Sequence, residues 1–157
     1  MDAEQARPEI TDLLTPRSVI AQLRAPTKRQ VLQELARRAA TMTGVADKRI
    51  YDALTERERL GTTGIGTGVA IPHCRLAELT RLHGLFARLE RPVPFEAIDD
   101  QPVDLVFLLL APLDAGADHL KALARVSRLL RDRATCEKLR GANSADALYA
   151  LLTEGSA

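Results

Sequence analysis

Seven consecutive residues, Asp104-Leu105-Val106-Phe107-Leu108-Leu109-Leu110, carry six apolar side chains between prolines at 102 and 112. A strand sends successive side chains to opposite faces, so a run without polar alternation needs a sheet covered on both sides. This segment is the expected centre of the sheet. Val19 to Leu23, Val69-Ala70-Ile71 and Leu85 to Leu89 read as further strands. Helical signals lie between them. Thr27 and Gln30 form a capping pattern, and Val31, Leu32, Leu35, Ala36 and Ala39 then recur at helical spacing until Gly44. Asp47 is the expected cap of a second helix, with Ile50, Tyr51 and Leu54 on one face and Arg57 in its last turn before Leu60-Gly61. Asp118 is the expected cap of a helix with a stripe of Leu120, Leu123, Ala124 and Ser127, which puts His119 in the first turn. Further helices are expected from near Asp132 and Ser144. Helices and strands are interspersed, so the pattern calls for an α/β domain with helices on both faces of the sheet.

One domain accounts for 157 residues of which 46% are hydrophobic. With 22 basic and 21 acidic residues spread along the chain, the net charge of +1 leaves no electrostatic footprint for nucleic acid or an anionic membrane surface. Cys74 and Cys136 are the only cysteines, and without a Cys-x-x-Cys spacing they suggest neither a disulfide framework nor a zinc site. No apolar run approaches the roughly 18 residues of a membrane span, and Met1-Asp2-Ala3-Glu4-Gln5 does not begin a signal peptide. A cytoplasmic protein without direct membrane insertion is expected. Residues 1 to 11 are polar and aperiodic, and are expected to form a mobile tail.

The chemistry concentrates in Gly61-Thr62-Thr63-Gly64-Ile65-Gly66-Thr67-Gly68-Val69-Ala70-Ile71-Pro72-His73. Glycines this dense let the backbone turn tightly and let successive amides converge on an anion. Two nucleotide motifs fail on a single residue each. A Walker loop needs Lys where Thr67 stands, and the dinucleotide fingerprint needs Gly where Val69 stands. What remains is a glycine loop leading through a short strand to one histidine, whose preceding proline restricts the local backbone. A neutral imidazole nitrogen is a good nucleophile near neutral pH and gives up a phosphoryl group readily. Such a group spreads charge over three oxygens, for which the candidate donors are Arg57, the Thr62, Thr63 and Thr67 hydroxyls, and the amides around Gly64, Gly66 and Gly68. His73 Nδ1 is well placed to donate to a carbonyl of the glycine loop, which leaves Nε2 to carry the phosphoryl group.

The segment from Glu56-Arg57-Glu58-Arg59-Leu60 through Ile71-Pro72-His73 resembles the active-site signature of the fructose/mannitol-type enzyme IIA of the bacterial phosphotransferase system. Pro92 to Leu105 resembles the same family, and the free-standing single domain is similar to its nitrogen-related subgroup. The resemblance implies a mixed β-sheet with helices on both faces, spanning residues 12–157. It implies phosphorylation of His73, an active-site Arg57, and a second active-site histidine, His119 in Asp118-His119-Leu120-Lys121. No cofactor or metal is implied. Cys74 follows the phosphorylated histidine where family members often have Gly. The implied donor is an HPr-like phosphocarrier protein, and the implied targets are potassium-transport regulators, sensor kinases or stringent-response enzymes.

Competing readings exist for each residue. Arg57 lies in an alternating run of acidic and basic residues, whose ordinary meaning is a solvated helix face. His119 could be a polar residue of a first turn, and His83 reads as structural. A metal site from His73, Cys74, His119 and Cys136 has no supporting spacing, and a Cys74 nucleophile has no signature of its own. At the level of the molecule, the regulatory phosphocarrier competes with a sugar-transport enzyme IIA that passes its phosphoryl group to a IIB component. The absence of a IIB cysteine domain or a permease from this chain favours the regulator. A third reading is an interaction module that carries no phosphate.

Overall fold

The computed structural model describes residues 9–154. Six strands form one mixed sheet: β1 (Val19–Leu23), β2 (Gly64–Gly66), β3 (Val69–Ala70), β4 (His73–Leu76), β5 (His83–Val93) and β6 (Val103–Pro112). Along the sheet the order is β1-β5-β6-β3-β2, and β4 also pairs with β6. β6 is thus central, antiparallel to β5 on one side and parallel to β3 and β4 on the other. The helices are α1 (Ile10–Leu13), α2 (Lys28–Thr43), α3 (Asp47–Arg59), α4 (Gly116–Arg131), α5 (Arg133–Gly141) and α6 (Ala145–Glu154).

The unbroken apolar run of β6 serves two cores. Val106, Leu108 and Leu110 join Leu85, Ala87 and Leu89 of β5 beneath α2 and α3. Leu105, Phe107 and Leu109 face the other way and pack with Phe86, Val126, Leu130, Leu139, Leu148 and Leu152 from β5, α4, α5 and α6. This is period-two alternation with both sides buried. Phe86 and Phe107 stand opposite each other, ring centroids 6.4 Å apart at 64°.

Local chemistry fixes most boundaries. Thr27 caps α2 by accepting the Gln30 N–H, and Gly44 ends it in the left-handed region at φ 80°. Asp132 caps α5 through the Thr135 N–H, and the Ser144 hydroxyl accepts from the Ala147 N–H at the start of α6.

Four expectations are corrected. Ile10 is fully buried in a one-turn helix that begins inside the segment expected to be a tail, while residues 1–8 lie outside the described residues. Asp47 is not the cap of α3 but its first residue, the cap position being Ala46. Ala115, not Asp118, holds the cap position of α4. The buried stripe of α4 is His119, Ala122, Val126 and Leu130, while Leu120 is 63% exposed. No helix among the described residues is long and apolar enough to cross a membrane.

Candidate functional site

Parallel pairing of β4 with β6 places His73 opposite Leu109, with the Leu109 N–H donating to the Pro72 carbonyl at 3.0 Å. The chain leaving β6 turns at Pro112–Ala115 and enters α4, whose first turn lays His119 beside β4. On the other side α3 runs along β4 and brings Arg57 to its C-terminal turn. Between α3 and α4 lies a cleft of about 530 Å³, lined by Arg49, Arg57, His73, Arg75 and His119 together with the exposed Leu60 and Leu120.

His73 is held at both ring nitrogens. Nδ1 lies 2.8 Å from the Ile71 carbonyl oxygen, which can only accept, so Nδ1 carries the proton. Nε2 therefore holds the lone pair, and the Arg57 Nε–H donates to it at 3.1 Å. Arg57 is itself steadied by donating from Nη1 to the Gly61 carbonyl at 2.9 Å. Burial pushes the His73 pKa below its ordinary value; the Ile71 carbonyl opposes this, and the Arg57 charge adds to it. The ring is accordingly neutral at pH 7, with its unprotonated nitrogen toward the cleft.

His119 faces His73 edge-on, ring centroids 5.5 Å apart and planes at 75°. It is 4% exposed, and the Arg75 Nε–H donates to its Nδ1 at 3.2 Å. Burial, then the neighbouring His73 and Arg75, lower its pKa to about 4.

The glycine segment is placed differently from the expectation. Gly64–Gly66 and Val69–Ala70 pair as a tight antiparallel hairpin with Thr67 and Gly68 at its tip, both at positive φ. The Gly68 carbonyl accepts from Leu105, four residues back along β6 from the partner of His73, which puts the tip roughly 13 Å from the imidazole. There the Thr67 N–H donates to Asp99, and Arg140 bridges the Asp104 carboxylate and the Thr67 carbonyl. Gly66 lies against Asp99. Thr67, Gly66 and Gly68 are thus not brought to His73. Thr62 and Thr63 stand nearer, yet their hydroxyls donate to the Phe95 carbonyl and to Glu58. The Thr63 N–H also serves Glu58, and the Gly64 N–H serves the Thr62 hydroxyl. These groups form an internal brace, not an open anion cradle. Glu58 completes it with Lys28, whose ammonium lies 2.9 Å from the carboxylate and 4.7 Å from the Phe95 ring centroid. The carbonyl that orients His73 belongs to Ile71, outside the glycine run.

The remaining candidates separate cleanly. Cys74 points into the core beneath α2 and α3, where burial pushes its thiol pKa up to about 12. Cys136 lies in the opposite core, its thiol donating to the Leu130 carbonyl at 3.1 Å. The two sulfurs thus belong to opposite sides of the sheet and do not share one metal centre with the histidines. His83 opens β5 opposite Leu110 and does not line the cleft. Two charged residues of the cleft, Arg49 and Arg75, escaped the sequence reading. Arg75 was legible in principle, since strand alternation puts positions 73 and 75 on one face.

Residues 12–155 match the family model described as phosphoenolpyruvate-dependent sugar phosphotransferase system, EIIA 2. A nitrogen regulatory protein of Bradyrhizobium diazoefficiens is 55% identical over 143 residues, 91% of this chain and 94% of that protein. Among solved structures, nitrogen regulatory protein IIA-Ntr of Neisseria meningitidis superposes with a TM-score of 0.88 at 32% identity, covering 92% of this chain and 99% of that one. IIA mannitol of Escherichia coli superposes with a TM-score of 0.75 at 22% identity over 88% of this chain and 98% of that one, a likeness of fold. With its mixed sheet, its two-histidine cleft and these relatives, the chain belongs to the EIIA 2 family of the phosphotransferase system, on the nitrogen-regulatory side of it.

Proposed function

We propose that this protein is a phosphoryl carrier that accepts the group on His73 Nε2 from an HPr-like phosphoprotein and regulates target proteins according to its phosphorylation state. The observation that carries the reading is the commitment of His73 Nδ1–H to the Ile71 carbonyl, which leaves a neutral nitrogen lone pair facing a cleft with three guanidinium groups. In the transfer step Nε2 forms a bond to phosphorus as the bond to the donor's imidazole breaks, and that imidazole recovers its electron pair. Arg57, already on Nε2, is the cation that meets the equatorial oxygens; His119 adds a hydrogen-bond donor. Leu60 and Leu120, 85% and 63% exposed on opposite rims, supply apolar contacts for a docking carrier.

Phosphorylation adds about −1.5 to −2 charges to a cleft whose arginines otherwise dominate it, and so changes which surfaces can dock there. The names of the relatives support a nitrogen-regulatory setting, and two free buried thiols support a reducing, cytoplasmic one. The test is incubation with phosphoenolpyruvate, enzyme I and an HPr-type carrier. An acid-labile phosphate should appear on the wild type and be absent from His73→Ala, with the fold retained because the side chain is only half-buried. Phosphate uptake by His73→Ala would refute the assignment.

A further inference from the structure

The contact between Arg75 and His119 has a fixed direction. A guanidinium has donors only, so the 3.2 Å contact from Arg75 Nε to His119 Nδ1 requires a lone pair on Nδ1. A neutral imidazole with its lone pair there carries its proton on Nε2. That Nε2 is buried and has no hydrogen-bond partner among the described residues. Buried donors are rarely left unmatched, so this one calls for a partner, and His119 is among the residues that line the cleft. His73 is arranged in the opposite sense, with its proton on Nδ1 toward Ile71 and its lone pair on Nε2 toward Arg57.

We propose that Arg75 is a positioning residue for phosphoryl transfer: by donating to Nδ1 it fixes His119 as the Nε2–H tautomer, so that His119 presents one preset hydrogen-bond donor to the phosphoryl oxygens on His73. Two arginines thereby hold two facing imidazoles in complementary states, Arg57 beside the acceptor nitrogen and Arg75 behind the donor ring. The inference rests on the phosphocarrier reading above for its use, though not for its geometry. His119 loses no proton in the step; its N–H keeps its hydrogen while the phosphorus–nitrogen bond forms on His73.

The setting favours this fixed state. The titratable and charged groups facing His119 are His73 and Arg75 on β4 and Arg49, Glu56 and Arg57 on α3 across the cleft. Burial and the two nearest of these keep the ring neutral, so a single tautomer, not an imidazolium, supplies the donor. The planar guanidinium suits the role because its N–H directions are rigid, and Arg75 itself is exposed enough for substitution without loss of core packing.

The test is nitrogen–proton correlation NMR of the unphosphorylated protein, comparing wild type with Arg75→Met. In the wild type, His119 should show Nε2 protonated and Nδ1 unprotonated. In Arg75→Met the tautomers should mix, the His119 titration midpoint should rise, and release of the phosphoryl group from His73 to an acceptor should slow roughly 10-fold, as for loss of an orienting partner. Arg75→Lys, which can still donate, should retain the Nε2–H tautomer. The proposal is overturned by a wild-type His119 protonated on Nδ1, by an unchanged tautomer in Arg75→Met, or by a shifted tautomer with an unchanged transfer rate. Because the tautomer is read without phosphate, failure of His73 to carry the group would be recognised separately.

Discussion

In the proposed transfer His73 is the nucleophile: its other nitrogen is committed to a backbone carbonyl, and the Arg57 hydrogen bond to Nε2 gives way as the bond to phosphorus forms. On the proposed role, in which Arg57 stabilises charge that develops during transfer, Arg57→Ala should slow phosphoryl transfer by roughly 100-fold while the half-saturating carrier concentration changes little. Single-turnover kinetics across a range of carrier concentrations checks this, and an unchanged rate would return Arg57 to a solvated helix face. His119 has a consequence for stability. Its folded pKa, about 4, lies below the unfolded value of 6.5, so the unfolded chain takes up a proton first as pH falls. The native state therefore loses stability between pH 6.5 and pH 4, with nothing lost above that window, and the full shift corresponds to about 3 kcal/mol. His73 and His83 shift in the same direction. Urea midpoints at pH 7 and pH 4.5 should thus differ less in His119→Gln than in wild type; equal differences would contradict the neutral buried ring.

At the scale of elements, the hairpin of β2 and β3 is a brace that fixes the approach to β4. Gly64 shows why a side chain is excluded there: a Cβ would stand 2.9 Å from both the Cα and the Cβ of Ala97. Gly64→Ala should destabilise the fold by about 1–3 kcal/mol, the range for overpacking. A denaturation midpoint equal to wild type would show that the 97–100 loop yields freely. Such elements also mark where sequence reasoning stops. β6 was legible because two buried faces leave an unbroken apolar run, and α2 because Thr27 and Gly44 mark its ends. β2 and β4 have three and four residues, too short for periodicity, and their pairing with distant strands is long-range information. The stripe of α4 was misphased because Leu120, an apolar residue, faces the cleft, while a histidine takes the buried position. The threonines and glycines were read as an anion cradle because spacing shows that amides can converge, whereas only the tertiary contacts of Glu58, Phe95 and Asp99 show that they are already engaged.

For the whole molecule, the sheet order brings together three segments distant in sequence. α3 ends beside β4, β4 pairs with the middle strand, and the chain leaving that strand starts α4. The site thus stands where two helices on opposite faces meet one short strand, with both cores packed behind it. A net charge of +1 gives the surface no overall field, so in the proposed function the local arginines of the cleft set the response to an added phosphoryl group. The most direct measurement is phosphorus and nitrogen NMR of the protein after phosphorylation by phosphoenolpyruvate, enzyme I and an HPr-type carrier. The account predicts one phosphohistidine, at residue 73, with phosphorus bonded to Nε2 and the proton retained on Nδ1. A phosphate on Nδ1 of His73, or on any other residue, would contradict it.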